Sequence, residues 1–346
     1  MKNQHIELRS DTFTQPTPGM REAMMQARIG DDVFGEDAST NELEAYCAAL
    51  LGFEAALFCP SGTMANQIGL HVHLRPGDEV ICDALSHVYL YEGGGMAANS
   101  MASVQLLQGD RGRIRASQVE AAIQPDNVHH PVSRVVSLEN TANKGGGSIY
   151  PMDWLREIST LCNTRNLKLH LDGARIWNAW VARPFDMKEI GRLFDTASVC
   201  LSKGLGAPVG SVLLGSASAI GLARRVRKRW GGGMRQSGFL AAAGLYALQH
   251  QVERLREDHQ RAQTIGRILS SASWVKEVLP VETNIVIASL SAQTGTAVEW
   301  VEKLKDKGIL AAPFGMDKIR FVTHLDFSDH DLEVFENQLN DLILEF

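Results

Sequence analysis

The sequence has little that would commit it to a nucleic acid, a membrane or an oxidising compartment. Lys and Arg number 34 against 40 Asp and Glu, a net charge of −6, so no basic surface is on offer to polyphosphate. Nucleic acid is therefore not an expected partner. The least polar long stretch, residues 238–248, falls well short of the roughly 20 apolar residues that span a bilayer. The first thirty residues hold Asp11, Arg21, Glu22 and Arg28 and no continuous apolar core, so no secretory leader is expected and the mature chain should start near Met1. Five cysteines, Cys47, Cys59, Cys82, Cys162 and Cys200, are odd in number, scattered and set among apolar neighbours. They read as buried thiols of a cytoplasmic protein rather than as a disulfide framework. Repeats and low-complexity tracts are also missing.

What is present is a chain of 346 residues, 45% hydrophobic and 21% charged, which suits a globular protein of about two domains. Residues 39–51 carry Leu43, Cys47, Leu50 and Leu51 at helical spacing. This segment reads as a helix opened by a capping box of Ser39 and Glu42 and stopped by Gly52. Short apolar runs then alternate with helical patterns. The runs are 56–58, 79–82, 103–107, 134–138, 167–171, 198–201 and 211–214; the helices are 64–74, one near Tyr91, 117–123 and 152–166. Strands this apolar on both faces belong to a sheet covered by helices, an α/β architecture. After Gly231-Gly232-Gly233 the pattern changes to helices over 236–256 and 258–269, then strand, helix, strand and a last helix from Ser328. The expected division is a large domain over residues 1–240, N-terminal segment included, and a smaller α+β domain over 241–346.

The chemistry concentrates at two predicted strand ends. One is Leu169-His170-Leu171-Asp172-Gly173-Ala174-Arg175, the other Leu201-Ser202-Lys203-Gly204-Leu205-Gly206. A lone Asp or Lys in a loop is most often a solvated charge. Two at the edge where open α/β sheets bind ligands are more informative. The lysine can form a Schiff base with an aldehyde cofactor, and the carboxylate can keep a pyridine nitrogen protonated so that the ring accepts electrons. Those are the requirements of pyridoxal phosphate. A phosphate anchor should accompany them, and Cys59-Pro60-Ser61-Gly62-Thr63 joins a strand to a helix with free N–H groups and a glycine that permits close approach. Taken alone, that motif is an ordinary helix cap.

These residues carry a family resemblance. Motifs around Leu8-Arg9-Ser10-Asp11-Thr12, Gly30-Asp31-Asp32-Val33-Phe34-Gly35, Ser61-Gly62-Thr63, Ser86-His87, Glu139-Asn140-Thr141, Asp172-Gly173-Ala174-Arg175, Ser202-Lys203-Gly204, Met234-Arg235-Gln236-Ser237-Gly238 and Arg320-Phe321-Val322-Thr323-His324 together resemble the low-specificity L-threonine aldolases. That family is grouped with the aromatic amino acid β-eliminating lyases. The resemblance runs from about residue 6 to 330. It implies fold type I of the pyridoxal phosphate enzymes, the aspartate-aminotransferase-like class, with a mostly parallel seven-stranded sheet in the large domain. It implies Lys203 as the Schiff-base lysine, Asp172 at the pyridine nitrogen and His87 over the ring and close to the substrate. Ser61, Gly62 and Thr63 would bind the phosphate, with Lys228 and Arg235 reaching it from a neighbouring subunit. Ser10 and Arg320 would hold the substrate carboxylate, with Arg175 at the same end of the cleft. A homo-oligomer with shared sites follows, commonly a dimer of dimers.

The implied activity is cleavage of an L-3-hydroxy amino acid to glycine and an aldehyde. A β-eliminating lyase or a catalytically silent cofactor-binding protein are the alternatives. Two departures from the family stand out. Ala142 occupies a place where many threonine aldolases carry a histidine, so His87, or a water it positions, is left as the base, and the vacated space is expected to suit a larger, phenylserine-like substrate. Phe34 stands where a tyrosine is frequent. No metal is expected, because His71 and His73 are two apart on a helix and His129-His130 lies in a polar turn. The cationic run at residues 224–229 reads as a solvated helix face in which Lys228 alone has a function.

Overall fold

The computed structural model describes residues 5–292 and 294–344. The chain runs through β1 (Ile6–Glu7), α1 (Pro18–Met25), α2 (Ala38–Leu51), β2 (Ala55–Cys59), α3 (Gly62–His71), β3 (Asp78–Asp83), α4 (His87–Leu90), α5 (Gly95–Ser100), β4 (Ser103–Leu107) and α6 (Ala116–Ala122). It continues with β5 (Val132–Glu139), α7 (Met152–Thr164), β6 (Lys168–Gly173), α8 (Ile176–Ala182), α9 (Lys188–Leu193), β7 (Thr196–Cys200), β8 (Ser211–Gly215), α10 (Ala217–Arg229), α11 (Gly238–His250) and α12 (Leu255–Ser270). Last come β9 (Val275–Val278), β10 (Ile285–Leu290), α13 (Ala297–Asp306), β11 (Ile309–Leu310), β12 (Ala312–Pro313), β13 (Lys318–Val322) and α14 (Asp329–Leu344).

Seven strands form the main sheet in the order β2-β8-β7-β6-β5-β3-β4, with β8 antiparallel to both of its neighbours and the remaining pairs parallel. Side chains alternate faces along each strand, and the core divides accordingly. Ala56 and Phe58 of β2 and Val212 and Leu214 of β8 face a core shared with α2, α7 and α11. Leu57, Cys59 and Leu213 face α3 and α10 instead. Helices on both faces explain strands with no polar side.

A second sheet, β12-β13-β10-β9, is antiparallel and packs under α12, α13 and α14 around stacked Trp274 and Trp300, whose ring centroids are 4.1 Å apart. The N-terminal segment joins this smaller unit: β1 pairs in parallel with β11, and Ile6 and Leu8 lie in its core. In contrast, α11 puts Ala241, Ala243 and Ala247 into the core of the main sheet.

Some details differ from the sequence reading. Helix α2 is capped by Asp37, whose side chain accepts from the Thr40 N–H, rather than by a box of Ser39 and Glu42. Ser39 Oγ instead accepts the Arg28 N–H, and Glu42 pairs with the Arg28 guanidinium. The long helix expected over 236–256 ends at His250, and a turn separates it from α12. The cationic run is not uniformly solvated. Arg227 is buried in an ion pair with Asp32 at 2.6 Å, and Arg224 pairs with Glu44 at 2.8 Å.

Candidate active site

The C-terminal ends of the parallel strands assemble the site. Strand β6 delivers Asp172, which is buried, and the loop after β7 delivers Lys203. The Lys203 carbonyl accepts from the Gly206 N–H at 2.8 Å and from Thr14 Oγ1 at 2.9 Å, which fixes the backbone from which its amine projects. Gly206 sits at φ +80°, a conformation that favours glycine. After β2, Ser61 caps α3 by accepting the Met64 N–H. A Cβ on Gly62 would lie 2.8 Å from Cys200 Sγ, so glycine lets this turn pack against β7 while the Gly62 and Thr63 N–H groups stay open to an anion.

His87 opens α4. Its backbone N–H donates to Glu139 Oε2 at 2.8 Å, and its Nδ1 lies 2.9 Å from Glu92 Oε1. Burial opposes charge on this imidazole, but the Glu92 hydrogen bond and the charges of Asp172, Glu92 and Glu139 outweigh it and raise its pKa. Glu139 accepts a second N–H, from Asn143, through Oε1 at 2.8 Å. Burial and the nearby Asp172 charge push the Glu139 carboxyl upward.

At the substrate end, Arg320 of β13 donates Nη1 to Asn143 Oδ1 at 2.8 Å and Nη2 to the Arg9 carbonyl at 3.0 Å. Its Nε is buried without a partner. Burial and the nearby Arg175 cation lower its pKa, the condition of a guanidinium short of an anion. Arg175, expected at the same end of the cleft, has its guanidinium engaged. Its Nε and Nη2 are held by Asp11 at 2.8 and 2.7 Å, both groups being buried. Burial works against the Asp11 charge, but Arg175 prevails and holds that carboxyl far below the usual range. Ser10, at the same end, accepts from Thr12 Oγ1 at 2.9 Å.

Lys228 and Arg235 make no hydrogen bond or ion pair to Ser61, Gly62 or Thr63. Lys228 is exposed on α10, and Arg235 turns to Asp31 at 2.8 Å. Ala142 is buried. It is 2% exposed, and a Cβ on Gly112 would meet its methyl at 2.8 Å, so Ala142 packs closely against the Gly112 turn. Phe34 is 74% exposed.

Asp11, Asn66, Glu92, Glu139 and Asn143 are site residues to which the sequence reading gave no role. Asp11, Asn66 and Glu139 stand inside or beside motifs already singled out, which was the available signal; Glu92 had none. The ligand atoms of His87, Glu92 and Asp172 all lie within 4.8 Å of one another. Asn66 Nδ2 donates to both carboxylates at 2.9 Å, placing a hydrogen-bond donor where a shared cation would sit. A primary amine, a buried carboxylate and an anion-seeking guanidinium beside an open helix N-terminus instead match an aldehyde, a ring nitrogen, a carboxylate and a phosphate.

Comparison with known proteins agrees. The threonine aldolase from Leishmania major superposes with a TM-score of 0.83 at 22% identity, covering 97% of this chain and 98% of that one, which establishes the fold as type I of the pyridoxal phosphate enzymes. The model of the beta-eliminating lyase family matches residues 7–293. The low specificity L-threonine aldolase of Escherichia coli K12 is 43% identical over 94% of this chain and 96% of its own length. The probable low-specificity L-threonine aldolase 2 of Arabidopsis thaliana is 41% identical over 95% and 94%. The chain belongs to the beta-eliminating lyase family and, within it, groups with the low-specificity L-threonine aldolases. It is a pyridoxal phosphate-dependent carbon–carbon lyase.

Proposed function

We propose that this enzyme cleaves L-3-hydroxy amino acids such as L-threonine, L-allo-threonine or a phenylserine between Cα and Cβ, giving glycine and an aldehyde. The observation that carries the reading is that Asp172 and the Lys203 loop lie at the C-terminal edge of the main sheet, while the incompletely satisfied Arg320 of β13 lies near the Asp11–Arg175 pair, whose Asp11 also feels the Lys203 charge. Pyridoxal phosphate, when bound, supplies an electron sink for the Cα–Cβ bonding pair. Lys203 would hold the cofactor aldehyde through its amine, Asp172 would meet the ring nitrogen, and Ser61, Gly62 and Thr63 would hold the phosphate.

Arg320, with Ser10 beside it, binds the substrate carboxylate and so fixes which bond at Cα is aligned for cleavage. Arg175 acts one step back: locked to Asp11, it keeps the cationic end of the cleft rigid. His87 would lie over the ring and act as the base. Its Nδ1 faces Glu92 and carries the proton, which leaves the Nε2 lone pair free to take the proton of the β-hydroxyl. Glu92 then stabilises the imidazolium so formed.

Lys228 and Arg235 complete the phosphate site from a second copy of the chain, in a dimer or dimer of dimers. In support, Lys228 is exposed, Arg235 is half-exposed in its pair with Asp31, and Phe34, Leu90 and Tyr91 leave large apolar side chains exposed. A cytoplasmic location fits five free cysteines that are all buried. Burial raises the thiols of Cys59, Cys82 and Cys162 to about 12, so they are inert as nucleophiles. No described helix is long and apolar enough to cross a membrane.

The test is product analysis with L-threonine, L-allo-threonine and phenylserine. Aldehyde and glycine in equal amounts are expected. Ammonia without aldehyde would replace the proposal with β-elimination.

A further inference from the structure

We propose that Asn66 and His170 are positioning residues for Asp172, locked in one orientation by a hydrogen-bond relay running beneath α3 from His73 through Thr196. The proposal rests on Asp172 meeting the cofactor's ring nitrogen.

Geometry places these residues on one face. His170 and Asp172 are two apart on β6 and so point the same way, and Thr196 of β7 is directly opposite His170 in the sheet. Helix α3 covers this face. It presents Asn66 and, one turn later, Gly69, where a Cβ would lie 2.6 Å from His170 Cε1. Glycine at that position leaves room for the imidazole.

Counting protons fixes the direction of every bond. Asn66 Nδ2 has two hydrogens, and two carboxylate oxygens, Asp172 Oδ2 and Glu92 Oε1, each lie 2.9 Å away. Asn66 Oδ1 therefore faces His170 Nε2 at 3.2 Å as an acceptor, so Nε2 must carry a proton. His170 is fully buried, and burial drives its pKa down to about 3, so its other nitrogen is bare. That Nδ1 accepts from Thr196 Oγ1 at 2.9 Å. The hydroxyl has one proton, which goes to this nearer acceptor and only secondarily to the Gly69 carbonyl 3.2 Å away. His73 Nε2, at 3.3 Å, is left to donate to Thr196 Oγ1. Burial also keeps His73 neutral, with a pKa near 4.

Each donor in this chain points toward Asp172. Reversing it would turn the Asn66 carbonyl oxygen onto two carboxylates. The relay therefore serves two ends. It fixes the orientation of the Asp172 carboxylate, whose Oδ1 is separately held by the Ala174 N–H at 3.1 Å. Through the same amide it also holds Glu92, and with it His87, at a set distance from Asp172.

The test compares holoenzymes of Thr196→Val, Thr196→Ser, Asn66→Leu and Asp172→Ala. The readouts are the dissociation constant for pyridoxal phosphate, the pH dependence of the bound cofactor's absorbance, and kcat against KM. Thr196→Ser keeps the hydroxyl and should remain within about twofold of wild type in all three. Thr196→Val and Asn66→Leu should weaken cofactor binding at least about tenfold, lower kcat more than they raise KM, and shift the absorbance transition. Wild-type affinity and spectra in both would overturn the relay. Asp172→Ala separates the two levels: if it too leaves affinity and spectrum unchanged, the Asp172 assignment itself falls. Selective ¹⁵N-histidine spectra of the unmutated holoenzyme give a measurement independent of variant folding. His170 should be neutral with its proton on Nε2, and a proton on Nδ1, or on both nitrogens, would contradict the proposal.

Discussion

At the scale of single residues, the site is organised around charges that lack a full complement of partners. Arg320 is the clearest, with a buried Nε and a second cation nearby. A charge-assisted contact to a substrate carboxylate is worth roughly 1.5–3 kcal/mol, so Arg320→Ala should lower kcat/KM about 10- to 100-fold, with KM raised as well as kcat reduced. Unchanged steady-state kinetics would remove Arg320 from the clamp. His87 gives a prediction with a sign. Its pKa is raised because Glu92 and neighbouring carboxylates favour the imidazolium, yet the base must be neutral. Activity should therefore fall as pH drops through that raised value. Glu92→Gln removes stabilisation of the protonated form and should move the acidic limb of the kcat/KM profile to lower pH. A limb that stays in place would separate Glu92 from the base. Asp172 and Lys203 were legible in the sequence because each stands in a short motif at a strand end. The Asp11–Arg175 lock was not, since its partners are 164 residues apart and no local pattern links them.

Among elements, the alternation of buried strands and amphipathic helices was readable because both faces of the main sheet are covered. The misread cap on α2 shows where such reading fails. Ser39 and Glu42 have the spacing of a capping box, but Arg28, brought back by the intervening loop, takes both side chains. Asp37 does the capping and more: Oδ1 accepts the Thr40 N–H, while Oδ2 accepts those of Gly30 and, at the start of α11, Gly238. Asp37→Ala strands buried donors at three places and should cost at least about 2 kcal/mol, measurable by urea denaturation. A loss below about 0.5 kcal/mol would mean that water replaces this carboxylate. The two-residue strands β1, β11 and β12 are too short to show a period of two, so the docking of the N-terminal segment on the small unit left no trace in the sequence.

For the whole molecule, the proposed sharing of sites between copies predicts how variants behave when mixed. A Lys203→Ala subunit and a Lys228→Ala/Arg235→Ala subunit should each be nearly inactive alone. Mixed and reassembled, they should regain activity, because one site in each hybrid pair receives an intact Lys203 and an intact pair of cations. No recovery in a mixture shown to exchange subunits would place the phosphate anchors within one chain. All of this presupposes the attachment of the cofactor. Borohydride reduction of the enzyme loaded with pyridoxal phosphate, followed by peptide mapping, locates that bond directly. The phosphopyridoxyl group should be found on Lys203; finding it on another lysine, or on none, would contradict the site described above.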